Sequence, residues 1–332
     1  MGNMIWRTRS TAIALLGCLA MPLVAQAQQT KIPHVIVLYY SAARSVAAPF
    51  NAAFERGLEE LGFAKDRNIT IAYVVTDGTP PGISQTVKKT IALKPDVIVV
   101  WGALAAQTIK NANPPIPVVF LGASFPVETG VVPNLRRPGG MITGIAGEAS
   151  VETYGKRLQL FKEVVPGLNR VALLYAVNDP NTEPAKQAVH GAAVNLGIDV
   201  QSVGVRDPTE LDQAFETIKR RDVQGVLVVG GTFTWMHRQK LADLALRHHL
   251  PSLHHSRDGV TAGALLSYGP DLVDISYKGA AYVVKILKGA KPGELPVEQP
   301  TLFKLSVNEK TAKALGIKIP ESIMLRADEV IR

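Results

Sequence analysis

The sequence predicts an α/β protein made of two similar lobes with parallel sheets. Three observations carry this. From residue 34 onward, short unbroken apolar runs rich in Val and Ile alternate with amphipathic stretches. The alternation is interrupted near residues 144–150 and then restarts. The runs lack the strict in/out alternation of a half-exposed strand, so both their faces are buried, as in parallel strands joined by helical crossovers.

In the first series HVIVLYY (34–40) leads into a helix whose face is drawn by Val46, Phe50, Ala53, Phe54, Gly57, Leu58 and Leu61, at helical spacing. NITIAYVV, a helix around Ser84–Leu93, DVIVVWG, a helix from Leu104 and IPVVFLGAS follow. PNLRRPGGMITG reads as the connector, and a helix over Val151–Val165 opens the second series. Then come RVALLYAVND, a helix around Pro184–Leu196, DVQSVGV, a helix around Thr209–Lys219, GVLVVGG, one helix running to His249, and PSLHHS. GALLSYG passes into a helix marked by Leu272, Ile275, Gly279, Tyr282 and Ile286. A Pro-rich connector, KPGELPVEQP, a strand LFKLSV and a short helix NEKTAKALG come last. On this pattern residues 32–147 form lobe 1, with about 268–290 returning to it, and 148–267 form lobe 2; the lobe of 291–332 stays open.

Ahead of the first strand, Arg7 and Arg9 precede TAIALLGCLAMPLVA and the small-x-small triplet Ala25-Gln26-Ala27. This is the form of a secretory signal peptide over residues 1–27 and implies a periplasmic location. Leu15-Leu16-Gly17-Cys18 offers a lipid anchor at Cys18 as the weaker alternative, because the apolar run continues past it. Beyond residue 27 there is no cysteine, which removes disulfides, thiolate catalysis and cysteine metal sites. No later stretch approaches the roughly 20 apolar residues that span a bilayer. The formal net charge is +8, but the basic residues are scattered among acids, so no nucleic-acid partner is expected.

Ligands of open α/β sheets bind beyond the carboxyl ends of the strands. Those ends place Tyr40, Ser41, Trp101, Gly102, Ala103, Gly122, Ala123 and Ser124 in the first lobe. The second lobe supplies Asn178, Asp179, Thr232, Phe233 and His255, with Tyr268 at the return crossing. Several of these turns open helices, whose free amides and positive dipole end favour a carboxylate. Trp101 and Tyr40 fit an aromatic wall or the core equally well, whereas Trp235 fits core or interface better. No dinucleotide fingerprint, Walker loop, His-Glu-x-x-His or Gly-x-Ser-x-Gly occurs, so no catalytic residue, cofactor or metal is expected.

RHHLPSLHHS (247–256) holds four of the seven histidines. His248 and His249 end a helix, where neighbours diverge by about 100°. His254 and His255 occupy a strand, where successive side chains face opposite sides. Neither pair aims two imidazoles at one metal. His255 alone is left near the cleft, as a hydrogen-bond partner or a pH-dependent charge for the ligand.

IPVVFLGASFPVETGVVPNLRRPGGMITG, with its RPGG-x-x-TG signature, resembles the corresponding segment of the ABC-transporter substrate-binding family that includes the tryptophan-binding-like proteins. GALLSYGPD, AAYVVKILKGAKPGELPVEQP and TAKALGIKIPESIMLRADEVI resemble its C-terminal segments. The resemblance implies a type I periplasmic-binding-protein fold: two Rossmann-like lobes joined by a hinge and closed around a small ligand, an amino acid or an aromatic or carboxylate compound. It also implies a monomer that delivers the ligand to a membrane permease with its ATPase. A sensor module on the same fold, feeding a signalling receptor, is the alternative. The chain departs from the family pattern at Phe125-Pro126, where Asp-Pro is usual, and at His254-His255, where an aromatic often ends the strand.

Overall fold

A computed structural model describes Met1 and residues 31–40, 44–148 and 152–332. The proposed signal peptide, Cys18 and Ser41 lie outside the described residues. Two sheets organise the rest. The first has the strand order β2-β1-β3-β4-β5, with all its neighbours parallel. Its strands are β1 (His34–Tyr40), β2 (Thr70–Thr76), β3 (Val97–Trp101), β4 (Val118–Ala123) and β5 (Ile142–Ala146). Residues of odd number in β1 and β3, such as Val35, Val37, Val97 and Val99, pack with α1 (Arg44–Glu60) and α10 (Leu272–Leu287). Even-numbered residues, Ile36, Leu38, Ile98 and Val100, pack with α2 (Pro80–Ala92) and α3 (Gly102–Ala112). Helices on both faces are why these strands read as unbroken apolar runs.

The second sheet runs β12-β11-β10-β9-β8-β6-β7. It comprises β6 (Arg170–Ala176), β7 (Asp199–Val205), β8 (Val226–Val228), β9 (Ser252–His254), β10 (Leu266–Pro270), β11 (Phe303–Asn308) and β12 (Glu329–Ile331). Only β10 and β11 pair antiparallel. Helices α4 (Glu152–Val164) and α5 (Thr182–Leu196) cover one face, while α6 (Leu211–Arg220) and α8 (Arg238–Arg247) cover the other. The chain passes between the sheets three times: between β5 and α4, from β10 into α10, and after Glu298, which bridges Ile145 before β11 joins the second sheet.

The structure departs from the sequence expectation at several places, a short helix over Arg257–Thr261 among them. The segment read as a connector runs into β5, whose apolar residues are interrupted by Thr143 and Gly144. Its Gly144 lies so close to β4 that a Cβ would stand 1.9 Å from the Phe120 carbonyl oxygen. Helix α2 begins four residues before the expected Ser84, because Thr79 caps it by accepting from the Gly82 amide and prolines occupy its first turn, where their missing N–H costs nothing. The single helix expected to reach His249 is two, α7 (Thr232–Met236) and α8, broken at His237. The Arg238 guanidinium donates to the Trp235 carbonyl at 2.8 Å, satisfying an acceptor freed by the break. The C-terminal residues also contain α12 (Glu321–Arg326) and β12, which no apolar period marks.

Candidate functional site

The carboxyl ends of the two sheets meet around a cavity whose first wall is set by strand register. Val37 of β1 pairs with Val99 of β3 and Leu38 with Val100, so one residue further on Tyr39 and Trp101 share a face. Their rings stack with centroids 6.2 Å apart, and Phe50 of α1 meets Trp101 at 5.6 Å. Burial, with a smaller contribution from Glu55, raises the Tyr39 phenol pKa, and the hydroxyl donates to Asn51 Oδ1. Tyr39 thus presents a ring to the cavity rather than a polar group. The turn into α3 requires glycine, since Gly102 has φ of +77°, a region costly for other residues. No side chain caps α3, so the amides of its first turn keep their donor capacity. Gly102, Ala103, Gly122 and Ser124 line the cavity beside them.

The second wall is polar and is built by long-range ties. Asp179, after β6, accepts from the Asn181 amide at 3.0 Å and from the Thr232 amide at 3.0 Å. One carboxylate therefore fixes the loops after both β6 and β8. Burial pushes its pKa up to about 6, against the pull of those two backbone bonds. Asn181, Gly230, Gly231, Thr232, Trp235 and His255 form the wall. Trp235, although carried by α7, packs with Tyr39, Phe50 and Trp101, and its indole donates to Asp258 at 2.8 Å. Burial, followed by the nearby Arg157 and His254, pushes the His255 imidazole down to about 3. The pH-dependent charge anticipated for His255 is therefore not present near neutral pH. Asn181 Oδ1, Thr232 Oγ and His255 Nδ1 are buried without a hydrogen-bond partner.

Between the walls lies a buried ion pair. Glu148, two residues beyond β5, lines the cavity and contacts Arg157 Nη2 of α4, and both side chains are almost fully buried. Arg157 also donates to the Tyr268 carbonyl at 2.7 Å and the His255 carbonyl at 3.3 Å, and stacks over Tyr154. Burial alone lowers its pKa, but Glu148 and Tyr154 more than offset this and the guanidinium stays charged. The same side chain thereby touches the first crossing segment and the middle of β10.

Of the residues singled out from sequence, Trp101, Gly102, Ala103, Gly122, Ser124, Thr232 and His255 meet around this cavity. Ala123 is buried in β4 and is not on the wall. Asn178, Asp179 and Phe233 line a neighbouring cavity of about 250 Å³ that also includes Asp77 and Gly78. The Tyr268 ring stacks on Phe303 at 5.7 Å, away from the wall. Tyr40 closes β1, but its side chain lies outside the described residues, as does Ser41. Sequence reasoning missed Tyr39, Phe50, Gly147, Glu148, Asn181, Pro270 and Leu272, and took Trp235 for core or interface. Register supplies the signal for Tyr39, and the strand-end rule would have found Glu148 had β5 been recognised.

Two α/β sheets thus share a polar and aromatic cavity at their carboxyl ends. The chain belongs to the family described as ABC transporter substrate binding protein, whose model matches residues 49–331. A tyrosine-binding protein of Clostridioides difficile (strain R20291) is 24% identical over 265 residues, 80% of this chain and 76% of the relative. An ABC domain from Streptococcus pneumoniae, solved in complex with L-Trp, is 24% identical with a TM-score of 0.84, over 90% of this chain and 99% of that one. The ligand-free, open structure of a substrate-binding protein with adhesive properties from Clostridium difficile is 23% identical with a TM-score of 0.66, at the same two coverages.

Proposed function

We propose that the protein is the exported solute-binding component of an ABC importer, which closes its two lobes around an aromatic amino acid and passes it to a membrane permease with its ATPase. The observation that carries this is the shared cavity, where Asn181 Oδ1, Thr232 Oγ and His255 Nδ1 stand buried and unpartnered opposite an aromatic wall. Buried polar groups in native proteins are almost always paired, and a polar ligand would complete this set. The basic-then-apolar leader ending at Ala27 supports export. The names of the relatives, a tyrosine-binding protein and an L-Trp complex, support the ligand class.

The mechanism is a population shift, because a ligand that touches both walls only when they are close has a higher affinity for the closed state. The space between the walls is about 60 Å³, against roughly 300–1,000 Å³ for small-molecule sites. The lobes must part for the ligand to enter. Calorimetry of ligand-stripped protein with the natural amino acids and aromatic acids tests the proposal. Saturable one-to-one binding of L-tyrosine or L-tryptophan is expected, and no binding across the whole panel would overturn it.

A further inference from the structure

We propose that Glu148 and Asn181 form an ammonium site, so that the cleft selects α-amino compounds over aromatic carboxylates that lack the amine. This rests on the cleft being the ligand site. The cavity offers donors and acceptors in different places. On the first-lobe side the α3 amides at Gly102 and Ala103 have no side-chain cap, and Ser124 carries a hydroxyl. Across from them, Asn181 of the second lobe and Glu148 of the crossing segment present acceptors, beside the Thr232 hydroxyl and His255 imidazole, which can take either role. Asn181 is 4% exposed, its Nδ2 reaches the Gly230 carbonyl at 3.5 Å, and its Oδ1 has no partner. Glu148 is 3% exposed and is the one acidic side chain on the wall; among the described residues no lysine or arginine lines the cavity.

Arg157 stands behind Glu148 rather than in the cavity. Its bonds to the Tyr268 and His255 carbonyls hold it there, so it fixes the carboxylate without occupying the ligand's place. An ammonium has three donors and no acceptor, which matches the acceptor side, and a carboxylate matches the donor side. The aromatic trio of Tyr39, Phe50 and Trp101 then receives the ligand's ring. A deaminated acid would leave the buried Asn181 oxygen without a donor and Glu148 with Arg157 alone. Sites built to pair a ligand N–H reject analogues lacking it by large factors.

The experiment is calorimetry on ligand-stripped protein with L-tryptophan, tryptamine and indole-3-propionate, repeated with the L-tyrosine series. Indole-3-propionate is expected to bind at least about 100-fold more weakly than L-tryptophan. Glu148→Gln should weaken L-tryptophan by about 10- to 100-fold and narrow its preference over indole-3-propionate. Because that substitution also unpairs Arg157, Asn181→Ala is measured beside it and should weaken L-tryptophan about tenfold, with folding checked by circular dichroism. Deaminated and parent compounds binding within about threefold of each other, or both variants weakening both compounds equally, would overturn the ammonium site while leaving the solute-binding proposal standing. Binding of no compound in either series would overturn both.

Discussion

The two walls of the cavity are built by different means. The aromatic wall follows from strand register and helix packing, with each ring carried by a regular element. The polar wall depends on side chains distant in sequence: Asp179 holds the amide of Thr232, and Arg157 of α4 holds Glu148 and the carbonyl of Tyr268. A wall of the first kind tolerates the loss of a polar atom. The second has few parts, all buried, and each supports several others.

The largest effect should come from Arg157→Met. Removing the guanidinium strands Glu148 and two backbone carbonyls in a dry interior, and breaking a buried pair by removing one partner costs about 3–5 kcal/mol. Urea denaturation should show a loss of this size, with partial recovery in the Arg157→Met/Glu148→Gln double variant. A loss under about 1 kcal/mol would mean that the polar wall is not held by this pair.

Asp179 gives a smaller effect, read through pH. Its folded pKa, about 6, lies above its ordinary value of 3.8. Its contribution to stability is therefore fully present below pH 3.8 and is lost as pH rises through 6, on the order of 2–3 kcal/mol. His254 and His255, pushed down to about 4 and 3 by burial, act in the opposite sense. Their contribution is present above pH 6.5 and lost as pH falls through those values. The difference between Asp179→Asn and the parent isolates the carboxylate. The variant's stability relative to the parent should rise by about 2–3 kcal/mol between pH 4 and 7, and a flat difference would contradict the assignment.

The smallest effect belongs to the aromatic wall. Tyr39 already gives its hydroxyl to Asn51, so Tyr39→Phe should change ligand affinity by less than about threefold. A loss of tenfold or more in titration would show that the hydroxyl turns to the ligand.

The difference between the walls also explains what the sequence made legible. Buried strands announce themselves through Val and Ile runs, so HVIVLYY and DVQSVGV coincide with β1 and β7 to the residue. Trp101 and Gly102 were visible because a strand end is a local feature. Choosing between Tyr39 and Tyr40 needs the register of β1 against β3, a relation between segments some 60 residues apart. Glu148 was hidden because β5 reads as a connector. Arg157 looks like one more solvated charge on α4, and nothing local marks it as 1% exposed. His248, read from sequence only as a residue that ends a helix, stacks on Phe215 at 5.9 Å.

The most direct test is the structure of the protein crystallised with L-tryptophan or L-tyrosine. The account predicts the ligand ring against Tyr39, Phe50 and Trp101, its carboxylate at the start of α3, and its ammonium about 3 Å from Glu148 and Asn181. A ligand bound with its carboxylate toward Glu148, or seated in the charged cavity beside Arg257 and Lys304, would contradict it.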